Sequence, residues 1–283
     1  MQANSLFQID VEKIIAQKNP SLYKKLPHFV INYIKKVVHQ EEINNFLKEN
    51  QLLKNVEFIS KVIKTLDNKL IFNGMGNIPK QGKYIFVANH PLGGLESLGL
   101  IKLVDSIFPS KVKFFVNDVL LNIINLSDIF VPINKYGSQN KSIANKNNEI
   151  YASDYQVLYY PAGLVSRKIK GHVMDLPWKK SVFKKAVEFK RNIIPIFIDA
   201  QNSKRFYTIC QIRKLFGIKA NIELFFLADE MFKHAHKTIT YYIGNPINYQ
   251  IFDNVKTRQE YVNKLQDFVH FTLKKDINIK FTP

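Results

Sequence analysis

Val87-Ala88-Asn89-His90-Pro91-Leu92-Gly93-Gly94-Leu95-Glu96-Ser97-Leu98 is where an apolar run ends and chemically able side chains begin. Ahead of it, Tyr84 to Val87 are apolar strand formers, and behind it Ser97 to Phe108 carries apolar residues at helical spacing. His90 therefore falls on a strand-to-helix loop, where α/β proteins build their sites. Pro91 fixes one backbone angle and Gly93-Gly94 opens conformations closed to other residues, so His90 and Glu96 can turn towards each other. A histidine oriented by a carboxylate is a general base. The same residues fit a plainer reading, with Glu96 an acid favoured by the helix dipole and His90 a strand-end histidine satisfied by main chain.

Outward from this loop, short β-rich runs alternate with helical stretches from Lys69 on. Strands are expected near Lys69 to Phe72, Tyr84 to Val87, Val112 to Val116, Ile129 to Ile133, Gln156 to Tyr160 and Ile193 to Ile198. Helices are expected near Ser97 to Phe108, Val119 to Asn125, Lys141 to Ala152 and Lys179 to Lys190. Strands separated by helices imply an α/β fold, a mostly parallel central sheet flanked by helices on both faces. Beyond it, Ile222 to Leu227 and Ile239 to Gly244 read as further strands and Gln259 to Lys274 as a closing amphipathic helix. Pro195, inside its run, is tolerated only where no ladder donor is needed, at an edge or an irregularity.

Residues 1–75 read as an N-terminal helical region, with helices over Val11 to Lys18, Leu22 to His39, Glu41 to Glu49 and Val56 to Leu66; residues 76–283 read as the α/β domain. In the second helix Leu22, Leu26, Phe29, Val30, Tyr33 and Val37 share a face with Lys24, Lys25, Lys35 and Lys36 at its margins. Such a helix either packs on its own domain or rests on anionic lipid.

The chain has 283 residues, 46% of them apolar, which is ample for a core. Its net charge of +18 points to an anionic partner: nucleic acid, an anionic membrane surface, or acidic molecules such as acyl carrier protein and coenzyme A. Cys210 is the only cysteine, so there is no disulfide framework and no thiolate metal site, as expected of a reducing, cytoplasmic setting. No run approaches the roughly 20 apolar residues of a membrane span, and the N-terminus lacks signal-peptide character. A membrane-associated form would lie on the surface.

Asn89-His90-Pro91-Leu92-Gly93-Gly94-Leu95-Glu96 resembles the first block of the PlsC-like glycerolipid acyltransferases, whose signature is a histidine and a downstream aspartate. Here the acid is one residue further along and is a glutamate. The longer spacing is similar to the hemolysin-like bacterial branch, which reads H-P-x-G-G-L-D. Phe130-Val131-Pro132-Ile133-Asn134-Lys135 matches a second block, with Lys135 in place of the usual arginine. Tyr160-Pro161-Ala162-Gly163-Leu164-Val165-Ser166-Arg167 lines up with F-P-E-G-T-R-S, with Ala162 replacing the acid. Ile193 to Ile198 resembles the closing block. Gly171 to Ser181, Asn202 to Tyr207 and His39 to Asn44 also resemble the hemolysin-like branch, members of which acylate lyso-ornithine and related amino acid lipids.

The resemblance implies an O-acyltransferase that moves a fatty acyl group from an acyl carrier protein or coenzyme A thioester to the hydroxyl of a lyso-lipid, lysophosphatidate or a lyso-amino acid lipid. His90, held by Glu96, would take the hydroxyl proton, with no covalent acyl-enzyme. Backbone N–H groups near Gly93, Gly94 or Gly163 would meet the oxyanion. Asn89, Lys135, Ser166, Arg167, Asn202 and Ser203 complete the expected substrate contacts, and Lys204 and Arg205 would add attraction for anionic groups. No metal or separate cofactor is expected. The implied setting is the inner face of the cell membrane. Two other readings are a catalytically silent, membrane-associated relative and a basic nucleic-acid-binding protein; against the latter, the basic residues are spread along the whole chain and no nucleic-acid-binding signature appears. His234 and His236, two apart, would face different sides of a helix and make no metal pair, and His28, His172 and His270 read as structural or solvated.

Overall fold

A computed structural model describes residues 8–18, 20–117, 120–132, 141–169, 171–218 and 221–283. In chain order its elements are α1 (Val11–Lys18), α2 (Pro20–Tyr23), α3 (His28–Val37), α4 (Gln40–Glu49), α5 (Asn55–Thr65), β1 (Lys69–Asn73), β2 (Tyr84–Ala88), α6 (Leu95–Ile107), β3 (Val112–Val116) and β4 (Phe130–Pro132). There follow α7 (Lys141–Ala152), β5 (Gln156–Tyr159), β6 (Arg167–Ile169), β7 (His172–Met174), α8 (Ser181–Glu188), β8 (Asn192–Asp199), α9 (Lys204–Leu215), α10 (Leu227–Lys233), β9 (Thr238–Ile243) and α11 (Arg258–Asp267). The main sheet has seven strands in the order β1-β9-β8-β2-β5-β3-β4, while β6 and β7 form a small antiparallel hairpin. Every neighbouring pair of the main sheet is parallel except β8 with β9. The expected α/β class holds, with β1 and β9 running against the other five strands.

All five residues of β2 are buried, and they alternate between two cores. Tyr84, Phe86 and Ala88 join Leu100, Ile101 and Val104 of α6 on one face. Ile85 and Val87 join Phe183 of α8 and Val262 and Leu265 of α11 on the other. Burial on both faces makes an inner strand read as an unbroken apolar run. The expected boundary near residue 75 does not separate two cores: Leu47 of α4 and Phe58, Ile59 and Ile63 of α5 enter the same cluster as α6, and β1 is an edge of the sheet.

Several elements differ from expectation for identifiable reasons. The run from Leu22 to His39 is broken, because Pro27 takes an extended backbone at φ −62° and ψ 146° and starts a new helix, α3. The helix expected over Val119 to Asn125 is a pair of 3-10 turns, Leu120–Asn122 and Ile124–Leu126, with Val119 outside the described residues. Ile222 to Leu227 is no strand; Ile222–Phe226 is a 3-10 turn leading into α10, drawn inwards by the buried Glu223. The closing helix α11 passes into a π-helical turn at Phe268–Thr272. The hairpin β6–β7 and helix α9 were not anticipated.

Pro195 lies not at an edge but in β8, between β9 and β2. Ile196 faces Ile243 and Ile193 faces Ile247, so the chain opposite takes one residue more than β8 over this interval. The missing donor is absorbed in that bulge, where the Pro195 carbonyl still accepts from Gly244 N–H at 2.9 Å. Among the described residues no helix is long and apolar enough to cross a membrane.

Helix α6 is drawn against β9 at Gly99, where a Cβ would stand 2.1 Å from the Tyr241 hydroxyl. Tyr241 is fully buried and donates to the Glu96 carbonyl at 2.8 Å, so it has nowhere to retreat. Gly99→Ala is expected to lower stability by about 1–3 kcal/mol, read as a shift of the urea midpoint.

Candidate functional site

Strand β2 ends at Ala88, and the loop from Asn89 to Gly94 turns the chain into α6 at the end of the sheet. Gly93 takes φ +96°, and a Cβ there would meet Leu227 at 2.8 Å and Val165 at 3.0 Å, so glycine is required both by conformation and by space. The turn lets the Glu96 side chain fold back beneath its own loop. Its carboxylate is fully buried and accepts from the N–H groups of Leu92 (3.1 Å), Gly93 (3.0 Å) and Gly94 (2.9 Å). His90 Nδ1 stands 2.8 Å from Oε1 of the same carboxylate. Burial pushes the Glu96 pKa up, but the bond and charge of His90 and the loop N–H groups outweigh it, and the net direction is down. Glu96 is thus an anion, Nδ1 is the donor, and Nε2 carries the free lone pair. The glutamate and its extra spacing leave the dyad closed.

The His90 ring is held on its other sides as well. It stacks on Tyr160 at 4.2 Å between centroids and 11° between planes, and its side chain keeps 15% exposure. Its main-chain N–H donates to Asp175 at 3.1 Å, and its carbonyl accepts from Ser166 N–H at 2.8 Å and Ser166 Oγ at 3.1 Å. Asp175 is fully buried and also accepts from Ser166 Oγ (2.6 Å) and Trp178 Nε1 (2.8 Å), with His270 Nε2 3.9 Å away. Burial raises the Asp175 pKa, and His270, Ser166 and Trp178 together bring it below the ordinary carboxylate value. Asp175, Tyr160 and His270 were not anticipated as part of the site. The only sequence signal for Asp175 is its place in the Gly171 to Ser181 stretch.

The other expected residues are distributed differently. Asn89 is buried and clamps β2 to β8, giving to the Ile198 carbonyl at 2.9 Å and accepting from Ile198 N–H at 2.6 Å, so its amide does not face a substrate. The N–H groups of Gly93 and Gly94 are engaged by Glu96, and that of Gly163 by the Tyr160 carbonyl at 3.0 Å, so none of the three is left for an oxyanion. Ser166 supports His90 from behind. Arg167 is buried, pairs with Glu223 at 2.7 Å and donates to the Val165 carbonyl at 2.6 Å, which leaves it a structural cation. Ser203 caps α9 through Phe206 N–H and gives its hydroxyl to Glu230 at 2.6 Å. Asn202 is buried, and neither atom of its carboxamide finds a partner among the described residues, so it retains bonding capacity. Lys135 lies outside the described residues.

Ala162 packs in the apolar cluster with Val87 and Trp178. His234 is buried and His236 exposed beside Asp67, so the two do diverge, and among the described residues no group of side chains is arranged to hold a metal. Cys210 is on the buried side of α9 with its thiol pKa pushed up by burial, unlike an activated nucleophile.

Residues 13–278 match the family model described as Acyltransferase. Two curated proteins are similar over nearly their whole length. One, named lyso-glycine lipid O-acyltransferase, from Bacteroides thetaiotaomicron, is 43% identical over 270 residues, 95% of this chain and 99% of that protein. The other, of the same name, from Phocaeicola vulgatus, is 40% identical over 95% of this chain and 97% of that protein. A crystal structure of the 1-acyl-sn-glycerophosphate acyltransferase PlsC from Thermotoga maritima aligns with 88% of this chain and 93% of that one, at 14% identity and a TM-score of 0.47.

Glu96→Gln keeps the side-chain shape but removes the charge that fixes Nδ1 as donor. Turnover is expected to fall by roughly a hundredfold or more, measured as kcat. The pH dependence of stability checks the same carboxylate: with its folded pKa lowered, Glu96 stabilises above its unfolded value and loses that contribution as pH falls through the folded one. Urea titrations below about pH 5 should show a flatter loss of stability in Glu96→Gln than in the wild type.

Proposed function

Since the chain belongs to the Acyltransferase family, we propose that it transfers a fatty acyl group from an acyl carrier protein or coenzyme A thioester to the hydroxyl of a lyso-lipid with an amino acid head group, glycine in the two curated relatives. The observation that carries this reading is the His90–Glu96 pair at 2.8 Å, which leaves Nε2 of a partly exposed imidazole without a partner among the described residues. Nε2 takes the proton of the acceptor hydroxyl as its oxygen attacks the thioester carbonyl. The tetrahedral intermediate then expels the thiolate, which recovers that proton from the imidazolium. The buried state of Cys210 supports direct transfer without an acyl-enzyme.

The acceptor choice is supported by the relatives and by Arg167. A phosphate-bearing acceptor needs an available cation, and this arginine is occupied by Glu223. On the donor side, an open groove next to the loop of Gly163 is lined by Lys179, Lys180 and Lys184, cations suited to the phosphates of a phosphopantetheine arm. We place the reaction at the inner face of the cell membrane, where such donors and a lipid acceptor meet.

The test is thioester consumption by purified protein with a long-chain acyl donor, offering a lyso-glycine lipid and lysophosphatidate side by side. Turnover is expected with the glycine lipid, and His90→Ala should reduce it by about a hundredfold to ten-thousandfold. Retention of most activity in His90→Ala would refute the mechanism, and turnover with lysophosphatidate alone would refute the acceptor.

A further inference from the structure

The end of α9 and the turn that follows carry a surface the acyl-transfer chemistry does not use. Leu215 is 83% and Phe216 73% exposed, and Ile212, Ile218, Leu224 and Phe225 around them are exposed as well. Helix α3 packs against the 222–226 turn and adds Phe29, 74% exposed, and Tyr33. Arg205 ties the two parts together, donating to the Tyr33 hydroxyl at 2.9 Å while lying 5.1 Å over the Phe226 ring. Large apolar side chains gathered in this way mark an interaction surface.

The underside of the projection is held by buried charge. Glu223 pairs with Arg167 at 2.7 Å and with Arg213 Nε at 2.8 Å, and Arg213 also donates to the Ile218 carbonyl at 2.9 Å. The apolar side chains therefore stand on a fixed base and point away from it. Basic residues surround them: α9 carries Lys204 and Lys214, α3 carries Lys36, and neither helix contains an acid, while Arg205 is shared with Asp229 of α10 at 3.6 Å. Lys24 and Lys25 are exposed just ahead of α3.

We infer that this projection, the C-terminal end of α9 with the 222–226 turn and α3, docks the protein on a bilayer containing anionic lipid. The apolar side chains enter the acyl region and the lysines and arginines meet the head groups. The inference rests on the lyso-lipid reading above for its purpose, and position supports it. Arg167, under the projection, follows Ser166, which holds the His90 carbonyl, and Leu227, next after the turn, lies against Gly93. A lipid leaving the bilayer here would enter beside His90. Pairing with a second copy is disfavoured, since it would bring two basic rims of a +18 chain together.

The test is sedimentation with phosphatidylglycerol vesicles and with phosphatidylcholine vesicles. Wild-type protein is expected to bind the former more tightly, and Leu215→Asp/Phe216→Asp to weaken that binding by at least about tenfold. Turnover of a monomeric, short-chain acceptor should be unchanged in the double variant. In Phe216→Trp, brominated phosphatidylglycerol should quench the added fluorescence, while the single native Trp178, which is buried, stays unquenched in the parent. Equal vesicle binding by wild type and double variant, no quenching in Phe216→Trp, or a dimer lost in the double variant with no vesicle binding would each overturn the inference. Absence of turnover by the wild type would instead count against the acyl-transfer reading alone.

Discussion

A carboxylate with no access to water sits under the loop that carries His90, and the site is arranged around the need to satisfy it. An unpaired buried charge costs several kcal/mol, more than one hydrogen bond returns. Glu96 meets this cost with three main-chain N–H groups and the imidazole at once. Those N–H groups converge because Gly93 adopts a left-handed turn, and the histidine, stacked on Tyr160, is turned by its Nδ1, the fourth donor. One ion thus shapes the loop, selects the tautomer and presents the opposite nitrogen. Tyr241, bonded to the Glu96 carbonyl, couples this arrangement to β9 on the far side of α6.

Around this centre the molecule uses polar residues mainly to support other residues. Asp175 and Ser166 hold the two main-chain groups of His90, Asn89 fastens β2 to β8, and Arg167 is neutralised within a buried cluster. Side chains that motif reasoning assigns to substrate thereby form the framework that keeps the base in place. Such support matters because displacement of a catalytic group by about 1 Å lowers rate steeply. It also explains why Arg167→Ala would be uninformative about acceptor binding: the buried Glu223 would lose one of its two arginines and the framework would shift with it.

Elements defined by local pattern were legible in the sequence. β2 and α6 announce themselves by an apolar run, a Pro-Gly-Gly loop and a helical period, and with them come the α/β class, His90 and Glu96. What was hidden depends on partners distant in the chain. Nothing near Asp175 shows that it will meet a loop 85 residues earlier. Ile222 to Leu227 has strand-like composition, yet the pairing of Glu223 with Arg167 and Arg213 turns it into a 3-10 turn. Pro195 read as the mark of an edge or an irregularity because a proline removes a donor, and the second holds: the bulge between Gly244 and Ile247 makes an inner position tolerable. The break at Pro27 was visible in the text of the chain and was outweighed by the apolar period running through it.

The reversed pair of strands at one edge of the sheet has a consequence in time. Among the described residues β1 has one strand neighbour, β9, with Lys69 opposite Thr238, so the strand made early must wait for one made near the end. On the ribosome, at about 5–20 residues per second, that gap lasts on the order of ten seconds or more. Throughout it Leu70 and Phe72 have no strand to lie beside, whereas β2 gains both its neighbours, β5 and β8, before β9 is made. The edge of this sheet is therefore its last part to form and, until then, the segment most in need of shelter from other chains.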